Sequence, residues 1–206
     1  MKQVINISKK PCINWIGSES IDERFDCKYY SNNYIEVINK ISRMKNAKLR
    51  EFVVNKRSEP PIHTTMYGDK SKGDIPIIRF TDFTDFEFDL SNCLYLKKHY
   101  INNEIISSFL LKPKTIVFGL VGDVGHAFVV PENVPDAITY RRVAQLQLKN
   151  IDEYYVVTFL NTFYSKVQFD ALSTGVNQAQ LRLEDSIEIL IPIPSPEIQK
   201  YIGDKV

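Results

Sequence analysis

No stretch of this sequence is apolar for long enough to cross a membrane. The longest apolar runs, such as Ile187 to Ile193, are broken by charge or proline, well short of the roughly 20 residues a spanning helix needs. The start, Met-Lys-Gln-Val-Ile-Asn, lacks the apolar region of a signal peptide, so a cytoplasmic location is expected, with no membrane partner. Cysteine is scarce: Cys12, Cys27 and Cys93 are odd in number and widely scattered. That excludes a disulfide framework or a Cys-x-x-Cys zinc site and fits reduced thiols. His63, His99 and His126 add no metal-ligand spacing. An excess of one charge is lacking too, because the formal net charge is only +1, which argues against a general binder of polyanions. Also missing are Asn-Pro-Pro-Tyr, His-Glu-x-x-His and Gly-x-Ser-x-Gly. Binding, rather than catalysis, is the default reading.

What is present suits an ordinary globular chain: 206 residues, 44% hydrophobic and 25% charged, enough for one sizeable core or two small ones. The charge is unevenly distributed. Lys40 to Lys72 holds nine Lys/Arg against three acids, whereas Gly73 to Asn92 holds one Arg and five acids. One face can then be basic while the whole stays neutral; solvated loops of unequal charge would look the same.

Ser20-Ile-Asp-Glu23 reads as a capping box, and Phe25, Tyr30, Tyr34, Val37, Ile38 and Ile41 follow helical spacing, predicting a helix over about 21–43. Leu49–Asn55 and Ile75–Phe80 read as strands, separated by a loop with Pro60-Pro61 and Gly68-Asp-Lys-Ser-Lys-Gly73. Val143–Leu148 alternates apolar and polar residues, predicting one core face and one wet face. A helix is predicted from about Asp152, with Tyr155, Phe159, Phe163 and Val167 along one stripe. A polar loop at 173–180, a strand at Ile189–Ile193 and a helix with Pro196 in its first position follow.

The stretch Gly119-Leu-Val-Gly-Asp-Val-Gly125 could be a phosphate cradle or a hairpin bend. A cradle needs a following helix, whereas the next residues are His-Ala-Phe-Val-Val-Pro131, a strand-like run closed by proline. The bend is therefore the better reading, with Gly122 supplying positive φ and Gly119 and Gly125 suiting bulges or close approach. Asp82, Asp85, Glu87 and Asp89 cluster and invite a nuclease-like metal site, but Phe83, Phe86 and Phe88 interleave them, as in a half-buried edge strand. A metal-dependent nuclease using Asp82, Asp85 and Glu87 is retained as the reading from another class.

Several runs together carry a resemblance. They are VVPENVPDAITYRRVAQLQL, Phe159-Leu-Asn161, Thr174-Gly175 with Gln178 and Leu181, and Ile191-Pro-Ile-Pro194 with Gln199. Ile75-Pro-Ile-Ile-Arg79 and Arg24-Phe-Asp-Cys-Lys-Tyr-Tyr30 join them. In this order they resemble the target recognition domain of specificity subunits from Type I restriction-modification systems. The resemblance implies an α+β fold with a curved, mostly antiparallel sheet core and flanking helices. The recognition domain would cover 1–195, and 196–206 would start a connecting or dimerisation helix. It implies a non-catalytic module that binds double-stranded DNA and reads one half of a bipartite target. Its partners would be a methyltransferase subunit and a restriction subunit, with a homodimer if this is a natural half-length subunit. No cofactor is expected in this chain, S-adenosylmethionine belonging to the methyltransferase. A recognition domain cut from a fused restriction-methylation enzyme would read the same way. Two departures stand out. Lys112-Pro-Lys-Thr-Ile-Val and the bend Gly119-Leu-Val-Gly122 stand where the family usually has Gly-Asp-Ile-Leu before a serine-containing glycine bend. A full specificity subunit also has two such domains separated by long helices, whereas this sequence is expected to supply one, ending at Val206 just inside the first of those helices.

The candidate readers follow from chemistry. Arginine forks suit guanine and Asn or Gln amides suit adenine, while loop cations hold phosphates. Tyr140, Arg141 and Arg142 sit between two short strands, although two solvated arginines are the plain alternative. Asn177, Gln178 and Gln180 form the glycine-and-glutamine loop, where they could instead brace the backbone. Lys56, Arg57, Lys70 and Lys72 fit phosphates better than bases, and Arg79 fits either.

Overall fold

A computed structural model describes residues 27–84, 87–175 and 178–205 of the chain. Cys27–Tyr30 form a turn, and helix α1 runs over Asn32–Ser42. Its cap is Ser31, whose hydroxyl accepts from the Tyr34 amide at 3.3 Å, satisfying one of the amides a helix start leaves open. The predicted span 21–43 is therefore not one uninterrupted helix, and the Ser20–Glu23 capping box lies outside the described residues. Val37 and Ile41 are the α1 side chains fully buried.

Strand β1, Asn46–Lys48, leads into a 3-10 turn at Leu49–Glu51, and β2 follows at Val53–Arg57. The predicted strand 49–55 is thus shortened at its start. The Glu51 carboxylate accepts from the Lys48 amide at 3.0 Å, and this local bond holds the turn that extended backbone would lose. Next in the chain come β3 (Ile75–Ile78), β4 (Phe83–Thr84), β5 (Glu87–Phe88), β6 (Leu94–Leu96) and helix α2 (Glu104–Ser107). Then come β7 (Ile116–Gly119), β8 (Ala127–Val129), β9 (Ile138–Thr139) and β10 (Val143–Leu148). Helices α3 (Glu153–Leu160), α4 (Phe163–Leu172) and α5 (Leu183–Ser186) precede β11 (Leu190–Pro192) and helix α6 (Pro196–Gly203).

The main sheet has the order β2-β10-β7-β8, all antiparallel, and β1 pairs with β11. A smaller sheet has the order β6-β3-β9, in which β3 and β9 run parallel. The expected α+β class with mostly antiparallel pairing is what the chain adopts, and no closed barrel forms among the described residues. One core cluster joins α1, α3 and α4 to the main sheet, through Ile41, Phe118, Leu146, Val156 and Phe169. Another fills the small sheet with Ile62, Ile77, Leu96 and Ile138. Between them lies a third, with Ile78, Val117 and Val143. Because β10 is covered on both sides, Gln145 is buried rather than wet, its amide donating to the Phe109 carbonyl at 2.9 Å and the Thr139 hydroxyl at 3.0 Å. Alternation in β10 marks two different interiors, not an inside and an outside.

The predicted helix after Asp152 is two helices. Asp152 caps α3, accepting from the Tyr155 amide at 2.8 Å, but the helix stops at Leu160. Asn161 turns outward and clamps Ala127 of β8, accepting from its amide and donating to its carbonyl, each at 2.9 Å. The Phe159 carbonyl accepts instead from the Thr162 amide at 2.9 Å and the Ser165 hydroxyl at 2.9 Å. The chain thereby changes direction, and Phe163 ends 62% exposed instead of joining the stripe. Helix α6 begins at Pro196 as predicted. Its Ile202 packs on the main core while Ile198 is exposed; Val206 lies outside the described residues.

Residues 116–129 form a hairpin, with Ile116 opposite Val129 and Phe118 opposite Ala127, so the bend reading stands against the phosphate cradle. Gly125 has φ +83, and a Cβ there would meet the Phe169 ring at 2.1 Å. Left-handed backbone and overpacking both oppose a side chain at this position. Gly125→Ala is expected to lower unfolding stability by about 3 kcal/mol, as measured by the urea midpoint at unchanged slope.

Candidate nucleic-acid interface

The short parallel pairing of β3 and β9 is extended by the Tyr140 amide, which donates to the Ile78 carbonyl at 2.7 Å. That bond places Tyr140, Arg141 and Arg142 at the crossing from the small sheet to β10 of the main one. Tyr140 packs on the small-sheet core, and burial, then a hydrogen bond with Tyr140, pushes the Tyr67 hydroxyl up from its ordinary value. Arg141 reaches back, donating from Nη2 to the Ile62 carbonyl at 2.8 Å. Arg142 has φ +67, and its carbonyl accepts from the Leu120 amide at 2.9 Å.

The glycine bend and the glycine-and-glutamine loop meet beside Arg142. Thr174 and Gln180 exchange backbone hydrogen bonds at 2.8 and 2.9 Å, closing the loop on itself. The Gly122 amide donates to the Ala179 carbonyl at 3.1 Å, and the Leu181 amide to the Leu120 carbonyl at 2.9 Å. The result is a cleft of about 330 Å³ lined by residues 58–59, 120–121, 142, 174 and 180–183. Two of its wall residues, Glu59 at φ +57 and Arg142, are among the four non-glycine residues with positive φ in the described chain. Each such residue costs about 1 kcal/mol or more, and strain of this kind gathers where side chains must be aimed.

Of the predicted site residues, Arg142 and Gln180 share the cleft. Gln178 is exposed, with its amide nitrogen over Gly122, whereas Asn177 lies outside the described residues. Lys56 and Arg57 take opposite faces of β2, as successive strand residues must. Lys56 pairs with Glu184 of α5. Arg57 donates to the Ser108 hydroxyl at 2.9 Å and lies 5.9 Å over the Phe109 ring, bracing β2 against the α2 end. Arg79 is clasped by Asp82 through Nε and Nη2, and Nη2 also donates to the Asn92 carbonyl at 2.9 Å. Lys70 and Lys72 occupy an exposed 3-10 turn before β3, at the end of that strand opposite Tyr140. Backbone and side-chain hydrogen bonds from Ser71 hold Asp69 below the usual carboxylate range, and backbone donors do the same for Asp74, so the two lysines stand among ionised carboxylates.

The carboxylates of the nuclease reading do not converge. Asp82 is buried against Arg79, Asp89 is exposed and bonded to the Ser91 amide at 2.9 Å, Asp85 lies outside the described residues and the Glu87 side chain is not described. Among the described residues no group of three His, Cys, Asp or Glu is placed to hold a metal ion. The sequence reading missed Glu59 and Arg182. Glu59 stands just before Pro60-Pro61 and gives no signal of its own. Arg182 was detectable from Arg182-Leu-Glu-Asp185, the spacing that lets its Nε and Nη2 donate to Asp185 at 2.7 and 3.1 Å. Those bonds raise the Arg182 guanidinium above its ordinary value.

The fold is shared with specificity subunits of restriction systems. The chain superimposes on the HsdS subunit from Thermoanaerobacter tengcongensis with TM-score 0.55 at 12% identity, covering 84% of this chain and 42% of that one. For the S subunit of a Type I restriction-modification system from M. genitalium the values are 0.54 and 12%, covering 78% and 37%. For the type IIG restriction endonuclease BpuSI they are 0.62 and 10%, covering 86% and 28%. At such identities the likeness is one of fold, and the chain spans less than half the length of each. No curated protein matches it. Residues 41–206 match the family described as the Type I restriction modification DNA specificity domain, and the chain belongs to that family.

The Arg79–Asp82 clasp yields a stability test. Asp82 is 4% exposed, so removing its partner leaves a buried carboxylate without a counter-charge. Arg79→Ala is expected to lower stability by about 2–3 kcal/mol, less than for a fully buried pair because Arg79 is partly wet. Thermal unfolding reads this directly, and an unchanged melting temperature would release Arg79 for a role on a ligand.

Proposed function

We propose that this chain reads one half of a bipartite double-stranded DNA target and directs a separate methyltransferase subunit, with its restriction subunit, to that site. The observation that carries the reading is the cleft, where Arg142 and Gln180 are brought together by backbone stitching from segments far apart in sequence. Family membership and a span of 42% of the T. tengcongensis subunit support the half-target reading. S-adenosylmethionine then belongs to the methyltransferase, and the chain performs no chemistry itself. The BpuSI likeness supports a second arrangement, the same module fused to an enzyme; the length of the native gene product separates the two.

In this reading Arg142 contacts base edges, and Lys70 and Lys72 contact phosphates. On the cognate duplex, Arg142→Ala is expected to cost about 1–3 kcal/mol and relax one position of the target. Arg142→Gly should do the same without loss of fold stability, since glycine accepts φ +67 freely. Arg141→Ala is expected to have the smaller effect, its fork already holding the Ile62 carbonyl. Lys72→Ala should weaken all duplexes alike and reduce the salt slope by about one. A salt titration of the methyltransferase complex on target and scrambled DNA checks all four, and equal losses on both duplexes for the arginine variants would refute base reading by them. With magnesium and S-adenosylmethionine, the chain alone is expected to neither cleave nor methylate DNA; turnover that follows the purified chain would return the nuclease reading.

A further inference from the structure

Arg182 lines the cleft beside Arg142 and Gln180, and its guanidinium is already aimed. Nε and Nη2 donate to the two oxygens of Asp185, which uses one edge of the planar group. Among the described residues no hydrogen bond takes the edge between Nη1 and Nη2, where one N–H from each nitrogen points the same way. Asp185 is a firm mount: its side chain is only 18% exposed against 78% for Arg182. Its carbonyl accepts from the Glu188 amide at 3.1 Å, and its neighbour Ser186 is buried. A free arginine gives up much rotamer freedom on binding, and here the clasp restricts that freedom in advance. Arg79 shows the contrast. It has the same clasp from Asp82, but Nη2 also donates to the Asn92 carbonyl, closing its second edge.

Charge then separates a base reader from a phosphate holder. Arg182 is neutralised by Asp185, and Glu59 faces the same cleft as Arg142. The local sum is near zero, which weakens attraction to a phosphate, a matter of net charge. The directional open edge survives, and its geometry matches the O6 and N7 acceptors of guanine. Gln180, Thr174 and Glu59 add mixed donors and acceptors, as base edges require and phosphates do not. We propose that Arg182 is a specificity-determining residue that reads a guanine through its Nη1–Nη2 edge, and that Asp185 is its positioning residue. This rests on the reading of the chain as a DNA-recognition module.

The test is selection from a random-sequence duplex pool by the full chain in its methyltransferase complex, as wild type, Arg182→Ala, Arg182→Lys and Asp185→Asn. Wild type is expected to enrich a motif containing a guanine that the Arg182→Ala pool leaves degenerate. On the wild-type motif, Arg182→Ala and Arg182→Lys should each bind roughly ten- to hundredfold more weakly, with scrambled DNA and the salt slope unchanged. Replacing that guanine by 7-deazaguanine should weaken wild type and not Arg182→Ala. Asp185→Asn should cause a smaller loss at the same position and none in the Arg182→Ala background. Because Arg182 is exposed, its variants should melt with wild type, so its lysine variant carries the test even if Asp185→Asn unfolds. Equal weakening on all sequences with the salt slope lowered by about one would make Arg182 a phosphate contact and overturn the proposal. An unchanged motif and affinity would overturn it as well, leaving the recognition reading intact. If wild type itself enriches nothing, the recognition reading fails and this proposal with it.

Discussion

Leu120 is the residue on which the cleft depends. Its amide donates to the Arg142 carbonyl and its carbonyl accepts from the Leu181 amide, so one buried residue just beyond β7 is bonded to both the β9–β10 crossing and the segment entering α5. Gly122 adds the Ala179 bond two residues on. Backbone groups cannot choose their side chains, so this stitching sets the positions of Arg142, Gln180 and Arg182 whatever residues stand there. Buried amides and carbonyls must find partners, and that requirement holds the walls together. The Asn161 clamp on Ala127 works toward the same end from below, because it fixes β8, and with it the far side of the hairpin, to the α3–α4 corner.

Charge pairing explains how a chain of net charge +1 can suit a nucleic-acid partner. Part of the basic run from Lys40 to Lys72 is answered within the fold. Lys48 and Arg50 pair with Glu188, at 2.8 and 3.0 Å, and Lys56 with Glu184. Such exposed pairs add little stability each. Their larger effect is to lower the positive potential, which in the proposed role would weaken sequence-independent attachment to DNA and leave discrimination to directional contacts. A module with strong nonspecific affinity would spend its time on wrong sites.

Much of the fold was legible where local chemistry and tertiary packing agree. Pro196 begins a helix, Asp152 caps one, and the proline-closed run after Gly125 makes the second arm of a hairpin, because each is decided within a few residues. The failures came where distant partners decide. Asn161 reads as an ordinary helical position until Ala127 is known to be opposite it, so α3 and α4 appeared as one helix with Phe163 in its stripe. Gln145 looked wet because its partners, the Phe109 carbonyl and Thr139, lie in other segments. At the site, Arg142 and Gln180 were both among the candidates and share the cleft, but nothing in the sequence joins them; Leu120 does. Arg79 and Arg57 looked as free as Arg142, since a single sequence does not show which arginine meets Asp82 or Ser108.

The cleft is assembled from residues between Ser58 and Leu183, whereas α6 packs on α3 through Gln199, which accepts from the Asp152 amide at 3.1 Å. The two regions share a core but no cleft residue. In the proposed role this separation matters, because side chains on the cleft walls can be exchanged without disturbing the surfaces by which the module meets its neighbours. In this chain the backbone stitching at Leu120 holds the walls, and in the proposed role the side chains carried by those walls set which bases are read.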